Sequence, residues 1–194
     1  MTVLGLCGFA QSGKDSAASF LVERGWKRLA FADALRDSVY LLNPIVHVST
    51  IGNASCEYER VQDLVDRVGW DVAKVSYPEI RQLLQRMGTE VGRALYGESF
   101  WVDRVLTQME RSSTSYGEDV VVGNYVITDV RFPNEVEAVR SVGGKVIRIY
   151  REGVGAVNTH VSDTGVDDLE IDAVVLNQGS LDEFRAEVLK VVGL

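Results

Sequence analysis

The segment Gly8-Phe-Ala-Gln-Ser-Gly-Lys-Asp-Ser16 constrains this chain more than any other. It follows a short apolar run, Thr2 to Cys7, and precedes Ala17, Phe20 and Leu21, which recur at helical spacing until Gly25. The chain therefore opens as strand, loop, helix. Within the loop, Gly8 and Gly13-Lys14 keep the spacing G-x-x-x-x-G-K. Glycines there let successive backbone N–H groups turn inward around phosphate oxygens, the helix N-terminus adds partial positive charge, and the lysine reaches the outer phosphates. A strand before and a helix after is the setting this spacing requires.

The rest of the chain continues the alternation. Trp26 to Phe31 reads as a second strand, and Asp33 stands as the N-cap of a helix that Pro44 keeps from continuing. Residues 45–56 show no clear period. From Glu57 to Val68 the positions Val61, Leu64, Val65 and Val68 share a helical face, with Gly69 as the stop. Pro78 suits the first turn of a longer helix whose apolar stripe is Ile80, Leu83, Leu84, Met87 and Val91. Its other face carries Arg81 and Arg93.

Ser99 to about Met109 is again amphipathic, and Ser112 to Asp119 reads as a surface loop. Val120 to Thr128 is apolar on both faces, as central parallel strands tend to be, and delivers Asp129 at its carboxyl end. A helix from Asn134 to Val142, a strand from Lys145 to Tyr150, a polar aperiodic stretch from Arg151 to Asp172 and a strand from Ala173 to Leu176 follow. Ser180-Leu-Asp-Glu183 is a capping box that opens the last helix. Strands alternating with helices predict a three-layer α/β domain of the P-loop kind, its mainly parallel five-stranded sheet flanked by helices, with ligands at the carboxyl ends of the strands.

Bulk properties narrow the partners. A formal charge of −8 over 194 residues argues against a broad nucleic-acid footprint, yet leaves room for a local cationic pocket that takes one small anion. The two cysteines, Cys7 and Cys56, form no metal-spaced cluster and fit a reducing compartment. The N-terminus lacks a secretory pattern and no window approaches the length of a membrane span. The expectation is a cytoplasmic protein, of the host cytoplasm if phage-encoded, with no nucleic-acid polymer and no membrane as partner.

Several residues stand out for chemistry. The general motif places Ser or Thr directly after the lysine to hold Mg²⁺, whereas here Asp15 precedes Ser16. Asp15 is either a first-turn acid set against the helix dipole or, with Ser16, a metal contact. Asp129 is placed where P-loop enzymes put the acid that holds Mg²⁺ through water or takes a proton, and the alternative is a turn cap before Pro133. Arg131 projects near the same edge, and Arg81 and Arg93 come from a helix; guanidinium groups suit phosphate through paired donors in a plane. Phe100 and Trp101 are read either as base-stacking residues or as core. His160 reads as a surface residue.

Four segments resemble the phage-type deoxynucleoside monophosphate kinases of the P-loop nucleoside monophosphate kinase fold. They are Gly8 to Ser16, Phe31-Ala-Asp-Ala-Leu-Arg36, Leu84-Gln-Arg-Met-Gly-Thr-Glu-Val-Gly-Arg93 continuing to Trp101-Val102, and Thr128-Asp-Val-Arg-Phe-Pro-Asn-Glu135. His160-Val-Ser-Asp163 and Asp172 to Gly179 extend the likeness, and an Asp after the P-loop lysine is usual in that family. The resemblance implies ATP and Mg²⁺ as cofactors, with Gly8, Gln11, Ser12, Gly13, Lys14, Asp15, Ser16, Arg151 and Asn177 on the ATP side, Asn177 toward the adenine. It implies a deoxynucleoside monophosphate held by Asp33, Arg36, Arg81, Gly88, Arg93, Trp101 and Arg131.

The expected reaction is transfer of the γ-phosphate of ATP to the monophosphate, with Lys14, Asp129 and Arg131 catalytic and Asp15, Ser16 and Asp129 toward the metal. The expected organisation is one domain over 1–194 with an acceptor-binding helical insertion near 33–111 and a lid near 151–172, and a homodimer is compatible with it. The rivals are a kinase for another small acceptor such as dephospho-coenzyme A and a nucleotide-binding module without turnover. The absence of an Asn-Lys-x-Asp segment and the arginines outside the P-loop speak against the second.

Overall fold

Every residue of β1 (Val3–Cys7) is buried, as a strand covered on both faces must be. In this computed structural model, which describes residues 1–51, 55–113, 123–155 and 165–194, β1 is the middle of a five-stranded sheet. The order is β2 (Lys27–Leu29), β5 (Tyr125–Val130), β1, β6 (Lys145–Tyr150), β7 (Ala173–Leu176), and every pairing is parallel. β2 and β5 lie on one side of β1, and β6 and β7 on the other, so winding reverses at β1. Its carboxyl end is the crevice where such sheets bind ligands.

The alternation along β1 feeds two cores. Val3 and Cys7 join Tyr125, Ile127 and Val146 under α6 (Phe100–Ser113) and α7 (Pro133–Ser141). Leu4 and Leu6 join Val126, Ile147, Ile149 and Val175 under α1 (Lys14–Val22) and the C-terminal α8 (Leu181–Val192). Fully buried side chains such as Leu6, Leu21 and Phe184 each contribute about 1.5–3 kcal/mol relative to exposure. The capping box read before α8 is present: Glu183 N–H donates to Ser180 Oγ (3.3 Å) and Ser180 N–H to Glu183 Oε2 (2.7 Å).

Residues 32–101 form a second compact unit, inserted in the chain between β2 and β5; residues 1–31 and 102–194 make up the first. The second unit contains most of α2 (Phe31–Leu42), β3 (Ile45–Ile51), β4 (Ser55–Arg60), α3 (Val61–Ser76), α4 (Pro78–Arg86), a π-helical stretch (Met87–Arg93) and the short α5 (Ala94–Tyr96). Its core is Val39, Val61, Leu64, Ala73 and Ile80.

The structure corrects several local expectations in this unit. Residues 45–51 and 55–60 are paired antiparallel strands, which the lack of a helical period concealed because cross-strand pairing organises them. The following helix starts at Val61, not at Glu57. Gly69 does interrupt it, as expected, with non-helical geometry (φ 76°, ψ 161°), and a second helical segment follows directly to Ser76. The stripe from Ile80 to Val91 passes from α into π geometry after Arg86. Asp33 lies in the first turn of α2, because the helix already begins at Phe31, whose N–H donates to Asp129 Oδ1 (2.8 Å). In the first unit the strand expected over Val120 to Thr128 is β5, next to the central β1, and it begins at Tyr125, so Asp129 is inside it as its penultimate residue. Val120–Val122, the loop residues 114–119 and His160-Val-Ser-Asp163 lie outside the described residues.

Candidate active site

The P-loop runs from the end of β1 to the start of α1. Gly13 sits at φ 106°, and a Cβ there would come within 2.4 Å of Asn177 Nδ2. Only glycine meets both demands. The Asn177 amide in turn donates to Ser12 O (2.8 Å), and its own N–H donates to Tyr150 O (2.7 Å), which ties the loop to the ends of β6 and β7. Asn177 therefore braces the P-loop while also lining the adjoining cavity. That cavity, of about 390 Å³, is lined by Gln11, Gly13 to Ser16, Arg151, Asn177, Gly179, Leu181 and Phe184. All the residues expected on the ATP side belong to the loop, its supports or this cavity. Ser12 Oγ is buried with no hydrogen-bond partner among the described residues, an orphaned hydroxyl inside a phosphate-shaped loop.

Lys14 is buried and its Nζ donates to the carbonyls of Gly8 (2.8 Å) and Phe9 (2.6 Å). Its pKa is lowered to about 8: burial is the largest cause, the charge of Arg131 adds to it, and Asp15 and Asp129 oppose both. Four groups assigned from separate parts of the sequence thus share one electrostatic neighbourhood: two cations and two carboxylates at the carboxyl ends of β1 and β5. Asp15 and Ser16 are exposed in the first turn of α1, and Asp129 is half-buried.

This donor set is all hard oxygen, and no group of three or more His, Cys, Asp or Glu that could hold a metal occurs among the described residues. That composition fits Mg²⁺, which is held by one or two carboxylates together with substrate phosphates.

The acceptor-side residues other than Arg131 are all in the second unit. Asp33 and Arg36 pair on α2 at 3.5 Å. Arg81 is half-buried on α4. Gly88 and Arg93 belong to the π-helical stretch, a geometry frequent at functional sites. Arg93 is buried and donates to the backbone carbonyl and the carboxylate of Glu98, both at 3.4 Å. Trp101 is 4% exposed, and its Nε1–H donates to Gly88 O (2.9 Å). A Cβ on Gly92 would stand 2.2 Å from the same nitrogen. The core reading of Trp101 therefore describes its place: the indole props the π turn, where the sequence expectation had it touching the acceptor.

Two residues near the P-loop escaped the sequence reading. Arg148, on β6 beside Cys7, lies over the Phe9 ring (5.6 Å to its centroid) and pairs with Asp167. Glu135, a buried carboxylate in the first turn of α7, reaches back to the turn that carries Arg131. Pro133 followed by Glu135, a helix-start pattern, was the signal for the second.

A family model described as deoxynucleotide monophosphate kinase matches residues 32–188. A protein of Acanthamoeba polyphaga mimivirus, provisionally named for that activity, is 28% identical over 99% of this chain and 96% of its own length. The deoxynucleotide monophosphate kinase of Escherichia phage RB69 is 35% identical over 35% of this chain and 28% of its own length. Among solved structures, a dephospho-CoA kinase from Campylobacter jejuni aligns with 100% of this chain and 96% of its own at 15% identity and a TM-score of 0.46.

Proposed function

We propose, for a chain that belongs to the deoxynucleotide monophosphate kinase family, a division of labour among its residues in moving the γ-phosphate of ATP to a deoxynucleoside monophosphate. Phosphoryl transfer needs little covalent chemistry from the protein; positioning and charge neutralisation do most of the work. The P-loop amides, the Ser12 hydroxyl and Lys14 hold the donor phosphates, while Arg151, Asn177 and the cavity beside them take the rest of ATP. Asp15, Ser16 and Asp129 would hold Mg²⁺, which supplies charge neutralisation between the phosphates when bound.

Arg131 is the residue that faces the migrating or accepting phosphate. The observation that carries this is placement: Arg131 follows Asp129 at the carboxyl end of β5, and its charge helps to lower the pKa of Lys14, so the two cations are within electrostatic reach of one another. Asp15 and Asp129 balance them in part in the free protein, and a transferring phosphoryl group would balance them further. A phosphate monoester has a second pKa near 6. The accepting oxygen therefore needs no base near neutral pH; Asp129 would help to hold the metal, and it fixes the start of α2 by accepting the Phe31 N–H. On this reading Asp33, Arg36, Arg81, Gly88 and Arg93 serve the acceptor from residues 32–101; of the segment expected as a lid, Val166 and Leu169 are buried in the core beneath the sheet, so its part from Gly165 onward belongs to the body of the first unit.

The test is ADP release with ATP and Mg²⁺ against a panel of deoxynucleoside monophosphates, with dephospho-coenzyme A as a control acceptor. Release should rise strongly with a deoxynucleoside monophosphate and not with the control. Equal ATP turnover with and without every acceptor would sink the reading.

A further inference from the structure

A carboxylate in a protein interior persists only where hydrogen bonds replace its lost hydration. Glu135 is 3% exposed, and a single oxygen, Oε2, accepts the backbone N–H of Arg131 (2.7 Å) and that of Phe132 (3.1 Å). Backbone bonds from Glu135 N and Val136 N to Phe132 O (3.0 and 3.2 Å) close the first turn of α7 around the same point. Val136, Ala138 and Val139 then lock this helix into the core beneath the sheet.

Helix capping alone does not account for this arrangement. A glutamate at the third helical position ordinarily reaches the N–H of the N-cap, here Phe132, in exchange for a side-chain acceptor on that residue. Phenylalanine offers none. The shorter of the two bonds goes one residue further out, to Arg131, beyond the helix. Asp129 is only two residues before Arg131 on the end of β5. The carboxylate therefore fixes the turn between a strand end that carries Asp129 and a helix that is anchored in the core, and Arg131 is the residue at its crest.

We propose that Glu135 is a positioning residue for Arg131: it touches no substrate, and it sets the backbone from which the guanidinium reaches the phosphate. The inference rests on the role given to Arg131 above. A displacement of the order of 1 Å in a positioned group can cost about a hundredfold in rate. Side-chain length should therefore matter as well as charge.

The experiment is a double-mutant cycle on the full chain, read as kcat and KM for ATP and for the best monophosphate, with thermal melts beside it. Glu135→Ala should lower kcat/KM for the monophosphate between about tenfold and a hundredfold. Glu135→Asp keeps the charge at the helix start but shortens the reach, and should retain the fold while losing at least about fivefold. The parameter that moves, KM or kcat, should be the one that Arg131→Lys moves.

In an Arg131→Ala background either Glu135 substitution should cost less than about threefold, because the residue it positions is gone. Equal losses in both backgrounds, or parental kinetics in folded Glu135→Asp, would overturn the inference. If Glu135→Ala does not fold, the cycle stands on Glu135→Asp. Parental kinetics in Arg131→Ala itself would overturn the acceptor reading instead, which separates the two failures.

Discussion

The two compact units of this chain place functional side chains by different means. In the first, a parallel sheet buried between two cores ends in the P-loop on β1 and in Asp129 on β5, so the charged groups stand on backbone that packing holds from both sides. In the second, one small core supports helices that depart from α geometry twice, at Gly69 and over Met87–Arg93. Its surface also exposes Leu41, Leu42, Leu95 and Tyr96. Strand ends fixed by two cores give a site whose shape exists before any ligand arrives. The π turn of the second unit rests on one indole packed against Gly88 and Gly92.

The strongest way to break this comparison is Lys14→Ala. If the first unit holds the chemistry, kcat should fall at least about a hundredfold, since a positioned charge on the transferring phosphate is worth several kcal/mol. The thermal midpoint should change little. Near-normal kcat in this variant would show that the P-loop is not where the phosphate moves.

A paired substitution sharpens the comparison by asking each unit separately. In Gly13→Ala the new methyl meets Asn177 Nδ2 at 2.4 Å in a backbone conformation that L side chains rarely adopt, and KM for ATP should rise about tenfold or more. In Gly92→Ala the methyl drives into the Trp101 indole at 2.2 Å, and KM for the monophosphate should rise while KM for ATP holds. Titrating each variant with each substrate measures this. If both variants raise both constants alike, the units do not divide donor from acceptor.

The smallest effect is in the pH dependence of the first unit. The ammonium of Lys14 titrates near 8 in the free protein, below the ordinary 10.5, because burial and Arg131 disfavour its charge. As pH rises through about 8 the charge is lost, so kcat/KM for ATP, which reports the free enzyme, should fall there. Bound triphosphate favours the ammonium, so the corresponding limb in kcat should lie at higher pH. Stability moves the other way.

The unfolded chain holds this proton up to about 10.5, so between about 8 and 10.5 it binds more protons than the fold does, and this group's contribution to stability rises with pH. Below about 8 the cost of the buried charge is present in full. Urea midpoints of the parent and of Lys14→Ala across that range would measure it. An unchanged difference between them would mean that Lys14 is not held in this environment.

Much of the first unit was legible in sequence because its signals are local or short in period. Gly8 to Lys14 carries its own conformation, β1 is a continuous apolar run, and Ser180 with Glu183 announces a helix start. The second unit was less legible. The strands at 45–51 and 55–60 depend on pairing with each other, and the π stretch depends on Trp101 meeting Gly88 and Gly92 from a distance in sequence that no helical period records. The two glycines four residues apart were its visible trace.

What the sequence determined by itself was the class of chemistry: a glycine-lysine loop between strand and helix can do little except bind phosphate, and acids and arginines spaced along an alternating α/β chain gather at one sheet edge. What only the tertiary structure decided was which of those groups meet. Arg131 presses on Lys14 electrostatically although the two are far apart in the chain, Asn177 braces the P-loop at Ser12 from the other end of the sequence, and Glu135 holds the turn that carries Arg131. The physical reason is range. Backbone conformation follows from neighbours along the chain, whereas Coulomb interaction, desolvation and close contact follow from distance in space, which folding alone sets.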